Sequence, residues 1–374
     1  MGIKDLNSFL KKSVPQCIEK THLSSLKGKK IAIDTSIYFY KFLYKHPRFI
    51  ESFLEQIYKL IKCEITPVYV FDGKPPQEKM KELEMRKNKR IEMKDKINEI
   101  TDKLTMMKED ETKKLLEIQK IIEESQEKGI PLDLSNFQMI ENKELQQLEE
   151  EKGKLQKKLI YVTWQHKEEL KYFLEALNIP YIQAECEADS ICTELCRRNI
   201  VDGILSDDMD MLVDGPKILL REFTPTSYMV MKYDLEQIKS SLGLTTPQWI
   251  DFCILCGCDY TKRIYGMGPY KCIQYIKKEK NIETILNKYV GEGKKFKCPG
   301  DNYNYQQARY LFTNAPFYKE EYDNVCKKHY ALNLKDTELQ ERVNNLLIYL
   351  SEMTNYSEKM VVTRLEKILK RDLC

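Results

Sequence analysis

Four short apolar runs in this chain each close on an acid. Ile31-Ala32-Ile33 leads into Asp34, and Val68-Tyr69-Val70-Phe71 into Asp72. Ile204-Leu205 comes just before Asp208 and Asp210, and the apolar stretch 252–255 just before Asp259. Glu185 and Glu187 follow Tyr181-Ile182-Gln183 in the same manner. A carboxylate that closes a buried strand is costly to desolvate unless a cation meets it. Several brought together would repel and stay partly protonated unless a divalent metal neutralised them. Any fold open to this chain must therefore bring these acids and positive charge together.

With 374 residues, 42% of them hydrophobic, the chain can bury a full core without staples. Its 12 cysteines follow no apolar leader segment, so reduced thiols are expected. Cys253, Cys256 and Cys258, and Cys192 with Cys196, read as packed small hydrophobes, because only 4 histidines are present and no second C-x-x-C pair completes a zinc set. No stretch reaches the ~18 apolar residues of a membrane span. Leu6 stands where myristoylation at Gly2 would need Ser or Thr. Lys and Arg number 61 against 58 acids, a net charge of +3. If seven acids are committed to metal, the remaining surface is more basic than that total, and the balance leans towards nucleic acid.

Hydrophobic periodicity predicts an amphipathic helix over 4–12, a strand at 31–34, an aromatic helix over 36–42, a helix with Phe49, Phe53, Ile57, Leu60 and Ile61 on one face, and a strand at 68–71. Strand, helix and strand in that order belong to a parallel sheet. From 78 to about 159 Lys and Glu dominate. Ile97, Ile100, Leu104, Met107, Leu115, Ile118 and Ile122, then Leu145, Leu148, Leu155 and Leu159 after a break at Gly129-Ile130-Pro131, predict a projecting helical hairpin with a thin apolar seam. A solvated charged insertion is the alternative. Further strands are expected at 181–183, 203–206 and 217–222, and helices at 167–177, 187–197 and 249–256. The boundaries are then 1–77 and 162–259 for a core, 78–161 for the insertion and 260–374 for a helical C-terminal region.

Ligands of open parallel sheets bind beyond the carboxyl ends of the strands, where these acids fall. The two-residue spacing of Glu185 and Glu187, and of Asp208 and Asp210, would aim each pair one way in extended backbone. Any single acid could equally be a cap or turn former. As a set, hard oxygen ligands suit Mg²⁺ or Mn²⁺, and this many suit two ions, the arrangement that activates water for phosphodiester cleavage. Lys79 and Arg86 share a face of the first charged helix with Arg90 one turn on, placed for a phosphate or simply solvated. Gly266-Met267-Gly268-Pro269 before Tyr270-Lys271 is a glycine turn opening a helix, with amides suited to backbone phosphate but without the fingerprint for NAD.

Several segments occur in an order that resembles the flap endonucleases of the xeroderma pigmentosum group G nuclease superfamily. They are Met1-Gly2-Ile3 with Leu6, the run 31–36, the run 68–76, Glu185-Cys186-Glu187-Ala188-Asp189, Asp208-Met209-Asp210, Cys256-Gly257-Cys258-Asp259-Tyr260 and Gly266-Met267-Gly268-Pro269. The resemblance implies an α/β fold: a mostly parallel twisted sheet flanked by helices (a PIN-like nuclease core), a long helical arch, and a C-terminal part with a helix-hairpin-helix-type duplex-binding motif. It implies a 5′ flap endonuclease, with 5′-3′ exonuclease activity as an accompaniment, that cuts branched DNA in replication and repair. Asp34, Asp72, Glu185, Glu187, Asp208, Asp210 and Asp259 match the ligands of two Mg²⁺, for which Mn²⁺ can substitute. Lys79 and Arg86 match the basic residues at the scissile phosphate, and Tyr40 the aromatic that stacks near the cleaved nucleotide. Gly266 and Gly268, with Lys271 beside them, match the turn that grips duplex backbone with K⁺. Gly2 matches a residue whose freed amine lies near the active site.

The insertion is longer than the arch of typical cellular members, and the segment between Asp34 and Asp72 is shorter than theirs. Around Cys374 neither the clamp motif Q-x-x-I/L-x-x-F-F nor a terminal Lys run occurs, so a sliding clamp stays open as a partner with no motif to carry it. A monomer acting inside the cell, in a nucleus or at a viral replication site, is expected. A Holliday-junction or mainly exonucleolytic member of the superfamily is the nearest rival, and a non-catalytic DNA scaffold a more distant one. A phosphatase with an Asp nucleophile would need D-x-D, which Asp34-Thr35-Ser36 lacks.

Overall fold

A computed structural model describes residues 2–45, 49–127, 143–213, 215–298, 300, 303–315 and 317–327, and further on 337, 341, 344–349, 359, 362–363 and 365–366. Seven strands form one sheet: β1 (Ile18–His22), β2 (Lys30–Asp34), β3 (Thr66–Phe71), β4 (Tyr181–Gln183), β5 (Gly203–Leu205), β6 (Ile218–Arg221) and β7 (Met229–Asp234). Their order across the sheet is β1-β7-β6-β5-β2-β3-β4. Strands β6, β5, β2, β3 and β4 run parallel, while β7 and β1 close one edge antiparallel. The parallel core was legible because strands covered on both faces read as unbroken apolar runs. Ile31, Ala32, Ile33, Val68, Tyr69 and Val70 are all fully buried. Strand β1 is mostly polar and its Thr21 is the one buried position, so the sequence predicted no strand there.

The helices are α1 (Leu6–Ser13), α2 (Thr35–Lys45), α3 (Phe49–Lys62), α4 (Met80–Glu127), α5 (Lys143–Lys158), α6 (Trp164–Ala176) and α7 (Ala188–Arg197). Then follow α8 (Leu235–Leu242), α9 (Thr246–Cys256), α10 (Pro269–Glu279), α11 (Ile282–Tyr289), α12 (Tyr305–Thr313) and α13 (Glu321–Lys327). No helix among the described residues is long and apolar enough to cross a membrane. In α2 the aromatic run divides by face. Tyr38, Phe39 and Phe42 are buried, with Phe39 and Phe42 packing on Phe53 at 5.0 and 4.9 Å between ring centroids, whereas Tyr40 is 40% exposed.

The topology creates one special position. From β2 the chain steps to β3 and β4 on one side, then returns to the other side of β2 with β5 and β6. The carboxyl ends of β2 and β5 therefore flank a switch point, the place where open α/β sheets hold ligands. Asp34 is the last residue of β2, and Asp208 and Asp210 follow β5.

Two compact units result: Met1–Met80 with Val162–Cys374, and Lys81–Tyr161. Residues beyond 259 belong to the first. There α9 and α10 pack together, joined through a turn in which Gly266 takes a φ of 78°. Among the described residues every cysteine is a free thiol, and all but Cys298 are buried, Cys253, Cys256 and Cys258 among them.

The second unit is helical. Ile97, Ile100 and Leu104 are buried, Leu145, Leu148 and Leu155 are half-buried, and the ion pairs Lys96–Glu151 (2.7 Å) and Lys108–Glu149 (2.8 Å) join α4 to α5. The predicted seam is shorter than its sequence pattern. Leu115 is 59% exposed, because a helix of 16 residues spans about 24 Å and cannot cover one of 48. The break at 129–131 lies outside the described residues.

Candidate metal centre

Each acid reaches the switch point for a local reason. Asp34 ends β2 and receives Ser206 Oγ–H at 2.8 Å and the Ile37 amide at 3.3 Å. Asp72 follows β3 and accepts the Ala188 amide at 2.7 Å, fixing the start of α7 against β3. This junction depends on Gly73, where a β-carbon would lie 2.2 Å from the Ala184 carbonyl oxygen. The Gly73 and Lys74 amides bond the carbonyls of Cys186 and Glu185 across it. Asp259 lies on the connection from α9 to α10, and Tyr260 donates to Glu187 at 3.1 Å.

Asp208 and Asp210 are not aligned by extended backbone, as their spacing suggested. The chain turns here, and the Asp210 amide donates to Asp208 Oδ1 at 3.1 Å while the Asp208 amide donates to Ser206 Oγ. An aspartate side chain competes for nearby amides in this way and replaces strand with turn.

The charges are strongly interdependent. Asp34, Asp208 and Asp210 are no more than 9% exposed. Burial, then Asp72, pushes Asp34 up to about 7, although the Ser206 bond opposes the rise. Burial, then Asp208 and Asp259, holds Asp210 well above the carboxylate range, and its Oδ1 is a buried acceptor without a hydrogen-bond partner among the described residues. Lys79 meets this group: its Nζ lies 2.6 Å from Glu187 and 3.2 Å from Asp259. Burial opposes the ammonium charge, but Glu187, Asp189 and Asp259 outweigh it and raise the Lys79 pKa.

Among the described residues no three Asp, Glu, His or Cys side chains close around one point. The donor set nonetheless fits divalent cations. It is all oxygen, its Asp34, Asp208 and Asp210 are buried, one oxygen has no hydrogen-bond partner among the described residues, and a protein ammonium already lies between two of the acids. Lys79, a single positive charge, cannot neutralise the set.

Glu185 departs from the predicted set. It is 47% exposed and pairs with Lys319 at 2.6 Å, while Glu187, two residues on, stands just before α7 and meets Lys79. The bend at Cys186, whose side chain is buried, separates the two acids. Lys79 also departs from its predicted helix face: it lies in a single 3₁₀ turn, Gln77–Lys79, because Pro76 holds the backbone extended and delays α4. Arg86 and Arg90 lie on α4 in the second unit. Lys271 donates to the Gly266 carbonyl at 2.8 Å and reinforces the glycine turn, and Gly268 precedes α10 with open space around it.

Sequence reasoning missed Asp189 among the acids. Burial, then Asp34 and Asp208, raises its pKa. Its place in the Glu-Cys-Glu-Ala-Asp run was visible, but a first-turn helix acid has an ordinary role at the helix dipole.

A mostly parallel sheet thus carries buried acids at its switch point with a lysine among them. Residues 1–93 match the XPG N-terminal domain and 178–259 the XPG I-region. Flap endonuclease 1 of Aedes aegypti is 31% identical over 99% of this chain and 87% of its own length. That of Cryptosporidium muris is 30% identical over 99% and 72%. Among solved structures, the catalytic core of Rad2 in complex with DNA substrate superposes with a TM-score of 0.61 at 23% identity, covering 97% of this chain and 98% of that one. Flap endonuclease-1 from Methanococcus jannaschii gives 0.60 at 20% identity, covering 95% and 96%. The chain belongs to the flap endonuclease family of XPG nucleases.

Proposed function

We propose that this chain is a structure-specific nuclease that cuts branched DNA at a 5′ flap, using two Mg²⁺, for which Mn²⁺ can substitute. The convergence of Asp34, Asp72, Asp208, Asp210, Glu187 and Asp259 with Lys79 carries the reading. When bound, the ions supply charge neutralisation and an activated water. Asp34, Asp208 and Asp210 would hold them at the switch point, with Asp72, Glu187, Asp259 and Glu185 as the remaining ligands. Lys79 stabilises charge that develops on the scissile phosphate. Arg86 and Arg90, on α4, contact DNA backbone phosphate. Tyr40, exposed on α2, stacks on a base near the cut. The Gly266–Gly268 turn with Lys271 holds duplex phosphate together with K⁺. The enzyme acts where branched DNA arises, in a nucleus or at a viral replication site.

A labelled double flap incubated with Mg²⁺ tests this reading. Cleavage near the junction that a bulky block on the 5′ end suppresses is expected. Preferred cutting of a four-way junction would instead favour a resolvase, and mononucleotide products an exonuclease.

A further inference from the structure

Asp207 lies beside the candidate ligands but is held differently from all of them. Its Oδ2 accepts Lys41 Nζ at 2.6 Å and its Oδ1 accepts the Glu222 amide at 2.6 Å. Its carbonyl oxygen accepts Arg221 Nη2 at 2.7 Å. Both partners in the ion pair are mostly buried, with side chains 20% and 24% exposed. Arg221 is 8% exposed, and its Nε and Nη1 find no hydrogen-bond partner among the described residues. This buried guanidinium is held by its bond to the Asp207 carbonyl and by the Tyr233 ring, 5.5 Å away.

These bonds converge on one segment, residues 206–210. Lys41 belongs to α2, which starts directly after Asp34, and follows Tyr40. Arg221 ends β6, and Glu222 follows it. The segment is thus tied on one side to β6 and on the other to the helix carrying Tyr40, while Ser206 ties it to Asp34 from within.

We propose that Asp207 is a positioning residue for the metal centre, acting with Lys41 and Arg221 to fix the turn that presents Asp208 and Asp210. It touches neither ion nor DNA. The inference rests on the two-metal reading above. Supports of this kind set metal affinity, because a ligand free to swing must be ordered when the ion binds.

The test uses the full chain. Calorimetric titration with Mn²⁺ is run on wild type, Asp207→Asn, Lys41→Met and the double variant, with flap affinity measured in Ca²⁺ and melting temperature recorded. Asp207→Asn should weaken Mn²⁺ binding ~10-fold. It should raise by the same factor the Mn²⁺ concentration for half-maximal cleavage and leave flap affinity unchanged. The double variant should be no worse than Asp207→Asn, and Asp207→Glu should recover most of the loss. Unchanged Mn²⁺ affinity in Asp207→Asn, additive losses in the double variant, or losses that follow melting temperature alone would each overturn the inference. Wild type that binds no Mn²⁺ would overturn the two-metal reading as well, which separates the two failures.

Discussion

A β-carbon at Gly2 would lie 2.1 Å from Oδ1 of Asp208, closer than any side-chain carbon can approach. The same atom would lie 2.7 Å from Asp210 Oδ1, and Gly2 holds a φ of 84° that other residues adopt only with strain. The second residue of the chain is thus packed against two candidate ligands with no room for a side chain.

Gly2→Ala should therefore displace either the N-terminal segment or the two aspartates. Backbone strain of this type costs about 1–3 kcal/mol. Single-turnover cleavage of a 5′ flap should slow by at least ~10-fold, while the melting temperature changes little, since α1 keeps its buried Leu6, Phe9 and Leu10. A rate equal to wild type would show that the close approach has no bearing on the acids.

Lys79→Met should slow single-turnover cleavage by ~10²-fold, the scale for losing one group that stabilises transition-state charge. Flap affinity in Ca²⁺ should change by less than about threefold, because one phosphate contact is a small share of the electrostatic total. An unchanged rate would reduce Lys79 to a structural partner of Glu187 and Asp259.

Asp34 gives the protein without divalent metal a defined pH dependence. Its pKa, raised from 3.8 to about 7, exceeds the unfolded value, so the native state binds the extra proton between those limits. The stability this contributes is full below the unfolded value and is lost as pH rises through the folded one. Differential scanning fluorimetry in chelator should show a melting temperature that falls between roughly pH 5 and pH 7.5. Added Mg²⁺ should restore more at the upper end than at the lower, and equal restoration at both would count against ion binding at Asp34.

Stability away from the site should depend on Asp251 of α9. Its Oδ1 takes Arg309 Nη2 at 2.6 Å and Nε at 2.9 Å, and its Oδ2 takes the Ile282 amide at 3.1 Å. Removing a buried partner strands the others, so Asp251→Ala should lower unfolding free energy by about 3 kcal/mol. Glu222→Gln, at the exposed pair with Lys11, should cost less than about 1 kcal/mol. Urea titrations that rank the two variants in the reverse order would contradict this reading.

Much of this arrangement was legible in the sequence because buried parallel strands write themselves as apolar runs, and acids at their ends stand out. Asp34, Asp72, Asp208 and Asp210 were readable on that ground alone. The separate fates of Glu185 and Glu187 were not, since they depend on Lys319, brought in by the tertiary fold. Asp207 was hidden for a similar reason: its partners Lys41 and Arg221 come from two other elements. The place of Lys79 before α4 turned on the backbone preference of Pro76, which a helical spacing argument overlooks. Strand β1 escaped notice because it pairs only with β7 at the sheet's edge and buries little.

The most direct test is the single-turnover rate of Asp210→Asn on a 5′ flap at saturating Mg²⁺. The substitution nearly keeps shape while it replaces one carboxylate oxygen of this buried acid with an amide NH2 and removes its capacity to carry negative charge. A loss of about 10³-fold is expected if these acids hold the ions that drive hydrolysis. Cleavage at a near wild-type rate would contradict it.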